Sequence, residues 1–312
     1  MSAAVVTAKG MGDGLIMLVA ANAWKNQGYQ VHLYNDHLPS LERHLPGYTL
    51  HKKPSISALI KELLSMDLIF LQFDKSPLAE AVRDLRRRGK RVICVYSRPV
   101  HAVHQDDLIL NHNQPAVDSL QEALSVFLQK KISKDTGIVL PSPKKDPDCP
   151  KVLLHPLSSE AGKNWRKSRF IALAKKLQKA GYTPIFCLSP EEKTTFFADI
   201  PLDIKRRFYF PDTHSLSDLV SVFSKGSYFI GNDSGPAHLA SLMGICSFVL
   251  SGKKIIQHWQ PGWRKAEIIK PAWWIPNWKS PMRFREDYWA YWISSSKVMR
   301  KFQSAVAAEK SS

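Results

Sequence analysis

Short apolar runs alternate with amphipathic stretches along most of the chain, and this alternation restricts the fold more than any other feature. In the first half, the spacing of apolar residues predicts strands at 5–8, 29–33, 67–73 and 91–96 and helices at 14–27, 57–64, 78–88 and 116–131. Strands and helices in strict alternation imply right-handed crossovers. We therefore expect a parallel sheet that is covered by helices on both faces.

A proline-rich segment interrupts the alternation near the middle of the chain. Residues 133–150 contain four prolines and six charged residues, so a helix cannot persist there. The alternation then restarts, with strands predicted at 151–155, 183–188, 228–231 and 246–250 and helices at 168–180, 215–225 and 235–243. The predicted organisation is an α/β unit at 1–135, a linker at 136–150, a second α/β unit at 151–283 and a helical tail at 284–312.

The composition excludes several classes of protein. Of the 312 residues, 44% are hydrophobic and 23% are charged, which is typical of folded globular proteins. No apolar run approaches the roughly 20 residues of a membrane-spanning helix, and the N-terminus shows no secretory signal, so we expect a cytoplasmic protein. His101 and His104 lack a third ligand, so no metal site is predicted. The four cysteines lie far apart and are interpreted as buried thiols: Cys94, Cys149, Cys187 and Cys246.

Positive charge is concentrated in the second half of the chain. Residues 1–150 hold 19 basic and 15 acidic residues, whereas residues 151–312 hold 25 and 12. This asymmetry predicts an acidic partner for the second half, such as nucleotide phosphates, nucleic acid or an anionic membrane surface. The runs 86–88 and 205–207 are interpreted mainly as solvated basic faces.

Seven of the nine tryptophans lie between residues 259 and 292: Trp259, Trp263, Trp273, Trp274, Trp278, Trp289 and Trp292. We expect the tail that follows to pack its aromatic side chains back towards the first unit. The alternative is an exposed aromatic and basic surface that meets sugars or lipid headgroups.

The segment Y-F-I-G-N-D-S-G-P-A-H-L-A-S-L-M-G, residues 228–244, is the strongest local motif. An apolar strand runs into a small-residue turn and then a helix, for which Asp233 and Ser234 suit the N-cap and Pro236 the first turn. Free amides at the helix start would face an anion such as phosphate, namely those of Gly235, Ala237 and His238. The alternative is a well-capped buried helix without a ligand.

Two further loops follow predicted strands. K-G-M-G-D-G-L, residues 9–15, presents Asp13 on a glycine-rich turn, where a carboxylate can act as a general base or simply cap a helix. H-P-L-S-S-E-A-G-K-N-W-R, residues 155–166, offers the hydroxyls of Ser158 and Ser159 and the cation of Lys163. These groups could hold a diphosphate and stabilise its charge as it leaves, or could form a solvated basic loop.

Together, the three segments resemble glycosyltransferase family 9, the lipopolysaccharide heptosyltransferase family, over essentially the whole chain. G-M-G-D-G-L resembles the G-x-x-G-D-x-L turn of the family, and N-D-S-G-P-A-H-L-A-S-L-M-G resembles its D-[ST]-G-P-x-H-L-A-A-x-x-G motif. S-S-E-A-G-K-N-W is similar to a second-domain loop with paired hydroxyls and a lysine before a tryptophan. The resemblance implies a GT-B fold, in which two Rossmann-like domains with parallel sheets face an interdomain cleft and bind acceptor and nucleotide-sugar respectively.

The resemblance also implies roles for individual residues. Asp13 would be the base that deprotonates the acceptor hydroxyl, and the turn around it would lie on the acceptor side (Lys9, Gly10, Gly12 and Gly14). Lys163 would bind the donor pyrophosphate and stabilise the leaving group. The other donor-binding residues would be Ser158, Ser159, Asp233, Ser234, Gly235 and His238, with Glu191 or Glu192 at the nucleotide ribose.

The reaction implied is transfer of a heptose or related sugar from an ADP-activated donor, with inversion and without a metal or cofactor. The expected partners are this nucleotide-sugar, a phosphorylated lipid-linked oligosaccharide such as the lipopolysaccharide core, and the anionic inner face of the cytoplasmic membrane, but no nucleic acid. One departure leaves the sugar open: 251–254 reads S-G-K-K, where the family commonly has a Phe-Gly-Pro-Thr type loop. Lys253 and Lys254 could meet an acidic sugar or phosphate, or be solvated.

Two alternatives to this function remain at the level of sequence. One is a protein that keeps the fold, lacks catalysis and binds anionic glycolipid through the basic, tryptophan-rich tail. The other is a family member that uses a different nucleotide-sugar. A nucleic-acid-binding function rests only on charge and aromatic content, because no recognised nucleic-acid-binding motif is present.

Overall fold

A computed structural model describes residues 1–98, 104–144, 146–253, 256–277 and 283–310. Three residues considered above, His101, Lys254 and Trp278, lie outside the described residues. The chain divides into two compact units, Met1–Leu140 and Pro141–Ser312. The division falls inside the predicted linker. The start of that linker belongs to the first unit, because Asn22 Nδ2 and Tyr48 Oη donate hydrogen bonds of 3.1 and 3.0 Å to backbone carbonyls at residues 135 and 136.

The first unit is a six-stranded sheet flanked by helices. Its elements are β1 (Ser2–Val6), α1 (Met11–Lys25), β2 (Gln30–Tyr34), β3 (Tyr48–His51), α2 (Ile56–Leu63), β4 (Leu68–Phe73), α3 (Pro77–Arg83), β5 (Val92–Tyr96), β6 (Leu108–Ile109) and α4 (Ala116–Phe127), with 3-10 helices at Leu38–His44 and Asp84–Arg88. All strand pairs are parallel, in the order β3-β2-β1-β4-β5-β6.

The central strands of this sheet are apolar because helices cover both faces. Every residue of β4 is buried, as a central parallel strand requires. Helix α1 is buried from Gly14 to Trp24. The hydroxyls of Ser55 and Ser76 cap the starts of α2 and α3 by accepting from backbone amides. The loop between β1 and α1 lies at the carboxyl edge of the sheet because it follows directly on β1.

The second unit repeats this plan with five strands. Its elements are β7 (Lys151–His155), a 3-10 helix (Ala161–Lys163), α5 (Lys167–Lys179), β8 (Thr183–Phe186), α6 (Pro190–Phe197), α7 (Leu202–Arg207), α8 (Leu216–Phe223), β9 (Tyr228–Asn232), α9 (Gly235–Leu242), β10 (Cys246–Leu250), α10 (Ile256–Trp259), β11 (Glu267–Ile269), α11 (Phe284–Asp287), α12 (Trp289–Trp292) and α13 (Ser295–Lys310). The strands are parallel, in the order β11-β10-β9-β7-β8.

The C-terminal tail belongs to the core of the second unit. Helix α13 packs against α5, and Phe302 on α13 is fully buried. Its ring meets those of Tyr182, Tyr228 and Phe248 edge-on, with centroids 5.0, 5.2 and 5.4 Å apart. Contact of the tail with the first unit stays a prediction.

The predicted α/β class with two parallel sheets is confirmed. The sequence missed short elements: β3, β6, β11, α6, α7 and α10. The tail, expected to be helical, forms three helices, α11, α12 and α13, with breaks between them. Cys149 was wrongly expected to be buried: it is exposed in a segment without helix or strand.

Within the described part of the chain, no helix has the length and apolarity needed to cross a membrane.

The burial of α13 generates a prediction about stability. Phe302→Ala should lower the free energy of unfolding by about 3–5 kcal/mol, because it leaves a cavity among three aromatic rings. The exposed neighbour Gln303 on the same helix provides the control, and Gln303→Ala should change stability by less than about 0.5 kcal/mol. Urea denaturation measures both. Equal effects would show that α13 does not contribute to the core as described.

Candidate functional site

The loop that carries Lys163 is anchored by the buried amide of Asn232, the last residue of β9. Asn232 Nδ2 donates a 2.7 Å hydrogen bond to the Pro156 carbonyl, and its Oδ1 accepts a 3.0 Å bond from the Trp165 amide. Asn232 is fully buried, so these bonds have no competition from water. Both ends of the loop are therefore fixed to the carboxyl end of the neighbouring strand.

Two tryptophans, one on the loop and one on the C-terminal tail, connect the loop to the tail by hydrogen bonds. Trp165 Nε1 donates to the Ile293 carbonyl and Trp289 Nε1 to the Gly162 carbonyl, both at 2.9 Å. Trp165 and Trp289 are almost completely buried. Trp289, from the tryptophan-rich segment, thus fixes the position of the Lys163 loop.

The charged side chains of this loop form ion pairs with each other and with neighbouring segments, so that positive and negative charges alternate. Lys163 Nζ lies 3.7 Å from Asp233 Oδ2 and 3.0 Å from Glu160 Oε1, and Lys253 Nζ lies 3.4 Å from Glu160 Oε2. Lys253, expected to be solvated or to meet an acidic group, therefore pairs with a carboxylate of the chain itself. Glu160 was not identified from the sequence, although its spacing from Lys163 is that of a helical ion pair.

Burial and charge shift the pKa values of this cluster in defined directions. Burial raises the pKa of Asp233, and the nearby Lys163 charge offsets this only in part. Burial alone would lower the pKa of Lys163, but the charges of Asp233 and Glu160 raise it above its ordinary value. Lys163 is consequently a firmly protonated cation, suited to bind a phosphate group.

The start of α9 differs in detail from the prediction. Ser234 occupies the N-cap position, yet its hydroxyl donates to the Asn232 carbonyl at 3.3 Å and does not cap the helix. Gly235 is the first helical residue. The Ala237 amide was wrongly expected to be free, since it donates to the Ser234 carbonyl at 3.0 Å. The tight turn of the chain here uses that amide internally.

His238 is buried in this helix beside Trp263, with ring centroids 6.5 Å apart. Burial lowers the pKa of His238 to about 4, against a smaller opposing effect of a hydrogen bond to the Trp259 backbone. The imidazole is therefore neutral near pH 7 and packs within the second unit. Its Nδ1 has no hydrogen-bond partner among the described residues.

Ser158 and Ser159 lie on the loop after β7 but are placed differently. Ser158 Oγ donates to Asn164 Oδ1 at 2.8 Å or to the Glu160 carbonyl at 2.9 Å, and it is half-buried. Ser159 is exposed. The structure thus connects Ser158 to the anchoring network, while Ser159 is accessible to a ligand.

Glu191 and Glu192, the two candidates for a ribose contact, have different environments at the start of α6. Glu192 completes a capping box with Ser189, and its carboxylate lies 3.5 Å from His155 Nε2. Burial alone would raise the pKa of Glu192, but hydrogen bonding and the His155 charge lower it. Glu191 is exposed, and its carboxylate accepts a 2.8 Å bond from the Ser189 hydroxyl. Glu191 is the more accessible carboxylate.

Asp13 lies in the first turn of α1 in the first unit, and not on a glycine-rich turn before the helix as predicted. The helix begins at Met11, so Gly12 and Gly14 are helical, while Lys9 is exposed in the preceding loop. A Cβ on Gly10, the N-cap residue, would lie 2.5 Å from Asp13 Oδ2. Any side chain at position 10 would therefore displace the carboxylate.

Three polar residues that sequence reasoning missed contact Asp13 or the chain that leads into its helix. Gln72 Nε2 donates to Asp13 Oδ1 at 2.7 Å, while its Oε1 accepts from the Ala8 amide at 3.0 Å. Asn35 Nδ2 donates to the Thr7 hydroxyl at 2.8 Å. Lys53 Nζ donates to the Thr7 and Ala8 carbonyls, and Asp13 is one of the charges that act on its pKa. A signal existed for Gln72, the one polar residue in an otherwise apolar strand.

The predicted residues therefore form one group in each unit. Asp13 and its turn lie at the carboxyl end of β1, and Ser158, Lys163, Asp233, Ser234 and Gly235 lie at the carboxyl ends of β7 and β9. Among the residues described, no group of three or more His, Cys, Asp or Glu side chains could hold a metal ion. Metal independence stays a prediction.

Comparison with known proteins gives both a family and structural relatives. The sequence profile of glycosyltransferase family 9 (heptosyltransferase) matches residues 93–284. No curated protein matches the sequence of the chain. The solved structure of Escherichia coli ADP-heptose lps heptosyltransferase II is similar, with a TM-score of 0.70 and 13% identity over 99% of this chain and 100% of that one.

Two further structures show the same similarity. Escherichia coli heptosyltransferase WaaC with ADP has a TM-score of 0.66 and 12% identity over 97% of this chain and 99% of that one. The family 9 glycosyl transferase from Veillonella parvula has a TM-score of 0.65 and 14% identity over 97% and 96%. Identities this low show the fold alone, and the predicted GT-B fold is confirmed.

The profile match covers more than half of the chain and includes the whole Lys163 and Asp233 group, while Asp13 lies outside it. The loop after β7, the turn before α9 and the two parallel sheets agree with this match. The chain belongs to glycosyltransferase family 9.

Proposed function

We propose that this protein is an inverting glycosyltransferase that transfers a heptose or related sugar from an ADP-activated donor to a phosphorylated, lipid-linked oligosaccharide of the lipopolysaccharide-core type. The observation that carries the donor half of the proposal is the Lys163–Asp233 pair, which sits at the carboxyl end of the second sheet. Solved relatives include WaaC with ADP and with ADP-2-deoxy-2-fluoro heptose. We further propose a cytoplasmic location, with peripheral contact of basic surfaces with the anionic inner membrane.

In this mechanism Asp13 is the general base. Its carboxylate takes the proton of the acceptor hydroxyl while that oxygen forms a bond to the anomeric carbon. The bond from that carbon to the diphosphate oxygen breaks at the same time, so a single displacement inverts the configuration. Gln72 fixes the Asp13 carboxylate through its 2.7 Å hydrogen bond to Oδ1.

Lys163 stabilises the charge that develops on the departing ADP. The protonated ammonium provides the positive charge that the leaving diphosphate needs, and the proposed reaction therefore uses no metal or cofactor. Glu160 pairs with Lys163 and would exchange with the incoming phosphate. The hydroxyls of Ser158 and Ser159 and the turn at Asp233, Ser234 and Gly235 would complete the donor site, with His238 packed behind it.

A second candidate is a family member with a different nucleotide-sugar donor. The observation that favours it is Lys253, a second cation that shares Glu160 with Lys163 in the loop where the sequence departs from the family pattern. A further charge near the phosphates would suit a more acidic donor.

Thermal-shift titration with ADP, UDP, GDP and CMP separates the two candidates. A nucleotide that binds the native state should stabilise it by about 2.7 kcal/mol at a hundredfold excess over Kd. We expect selective stabilisation by ADP, which Lys163→Ala abolishes because the phosphates lose their cation. Lys179→Ala, an exposed lysine on α5, is the charge-matched control and should retain the shift. Selective stabilisation by another nucleotide would favour the second candidate, and no stabilisation would favour the non-catalytic alternative.

Asp13→Asn tests the base. The substitution keeps the shape of the side chain but removes its proton-accepting charge, so kcat should fall by about 10²- to 10⁴-fold with ADP binding unchanged. Asp84→Asn makes the same chemical change at an exposed carboxylate of the first unit and should leave kcat unaltered. Turnover with ADP-heptose and a purified core acceptor is the measurement. An unaltered kcat in Asp13→Asn would refute the assigned role.

Glutamine substitutions distinguish the two glutamates at the start of α6. We propose that Glu191 contacts the ribose, so Glu191→Gln should weaken ADP binding by about tenfold through loss of a charge-assisted hydrogen bond. Its affinity for inorganic pyrophosphate, which lacks a ribose, should not change. Glu192→Gln should instead lower the melting temperature, because Glu192 closes the capping box and pairs with His155. The reverse pattern in calorimetric titrations would assign the ribose to Glu192.

A further inference from the structure

A cavity of about 420 Å³ lies in the second unit, next to the Lys163 loop. Four of the side chains that line it are cationic, namely Lys253, Lys270, Arg285 and Lys297, and one is a carboxylate, Glu286. The volume lies within the range of small-molecule sites, about 300–1,000 Å³. Apart from Lys253, the lining residues are separate from the donor site described above.

The one carboxylate in the lining is already engaged elsewhere. Glu286 Oε2 accepts a 2.8 Å ionic hydrogen bond from Arg283, and its Oε1 accepts a 3.1 Å bond from the Asn277 amide. Arg283 therefore balances its charge. Lys253 pairs with Glu160, but Lys270, Arg285 and Lys297 have a positive charge that Glu286 does not offset.

Backbone carbonyls hold two of these cations in position. Arg285 Nη1 donates to the Trp273 carbonyl at 2.8 Å, and Lys297 Nζ donates to the Lys270 carbonyl at 2.6 Å. Both interactions use one donor and leave the others of the guanidinium and ammonium groups available. Burial and the charge of Arg285 lower the pKa of Lys270. Keeping like charges together in this way has an electrostatic cost that a bound anion would relieve.

The remaining walls suit a ring with an apolar face. Trp273 is 85% exposed, so its indole plane is open to a ligand at the edge of the cavity. Gly252 also lines the cavity, and a Cβ at this position would lie 2.0 Å from that of Trp289. Only glycine at this position allows the chain to pass Trp289 and present Lys253 to the cavity.

We propose that this cavity binds a phosphate monoester carried on a sugar ring. Arg285 offers a fork of donors that matches two phosphate oxygens, and the lysines supply the remaining charge. Trp273 stacks against the C–H face of the sugar. Lys253 shares Glu160 with Lys163 and so connects this cavity to the donor site. That the bound sugar phosphate is part of the acceptor rests on the proposed function; its binding does not.

Isothermal titration with glucose 6-phosphate, glucose and inorganic phosphate tests the proposal. The Lys163→Ala variant is titrated as well, because any binding at the donor site should be lost in this variant. We expect the hexose phosphate to bind wild type and Lys163→Ala alike, and more tightly than glucose or phosphate. Lys270→Gln/Arg285→Gln should weaken this binding at least about tenfold. Trp273→Ala should reduce the affinity for glucose 6-phosphate to that for inorganic phosphate.

The control variant is Lys179→Gln/Arg206→Gln, which removes the same charges from exposed positions of the second unit outside the cavity. It should bind glucose 6-phosphate as wild type does. Equal losses in the two double variants, no binding to wild type, or equal binding of glucose would overturn the proposal. The proposal would also be overturned if the protein bound phosphatidylglycerol vesicles and not the hexose phosphate, and Lys270→Gln/Arg285→Gln abolished the vesicle binding. ADP stabilisation, measured separately on each protein, reports on the proposed function, so its failure is distinguished from failure of this cavity.

Discussion

The buried side-chain amide of Asn232 joins the ends of the two adjacent central strands of the second sheet, and the donor site depends on it. It satisfies the Pro156 carbonyl and the Trp165 amide, which enclose the loop that carries Lys163. Removing the Asn232 amide would leave buried polar groups unpaired, at about 1–3 kcal/mol each. Because the loop is fixed at both ends, the Lys163 ammonium is held 3.7 Å from Asp233. The site is preorganised by hydrogen bonds that take no part in the proposed chemistry.

That preorganisation has an electrostatic counterpart. Asp233, Lys163, Glu160 and Lys253 alternate in sign, so each charge except the terminal ones has an opposite neighbour on either side. Asp233, at the more buried end, has a raised pKa. Glu160 is exposed, and its pKa is lowered mainly by the hydrogen bond to Lys163. A diphosphate could therefore displace Glu160 at low cost but not Asp233. The ligand exchange proposed for Lys163 follows from this difference in burial.

The sequence predicted what depends on local pattern, and the structure added what depends on register. Apolar periodicity was enough for two parallel sheets, and small residues after strands marked the loops of Asp13, Lys163 and Asp233. Residues such as Gln72 and Asn35 meet the Asp13 turn only because β4 and β2 flank β1, a neighbourhood that no local pattern specifies. The short strands β3, β6 and β11 were missed because two to four residues are too few to display a period. The Ala237 amide was judged wrongly because its use depends on turn geometry.

The tryptophan-rich segment shows that composition alone cannot assign a role. Trp289 is buried and hydrogen-bonds the Lys163 loop, whereas Trp273, 16 positions earlier in the printed sequence, is almost fully exposed beside four cations. The sequence left two alternatives, packing of the aromatic side chains back towards the first unit and an exposed aromatic surface. Within the second unit, Trp289 is buried and Trp273 is exposed. Gly252 connects them, since its lack of a side chain lets the chain pass Trp289 and reach the cavity. A substitution at Gly252 would therefore disturb the donor loop and the cationic cavity together, which couples the two proposed binding sites through one backbone position.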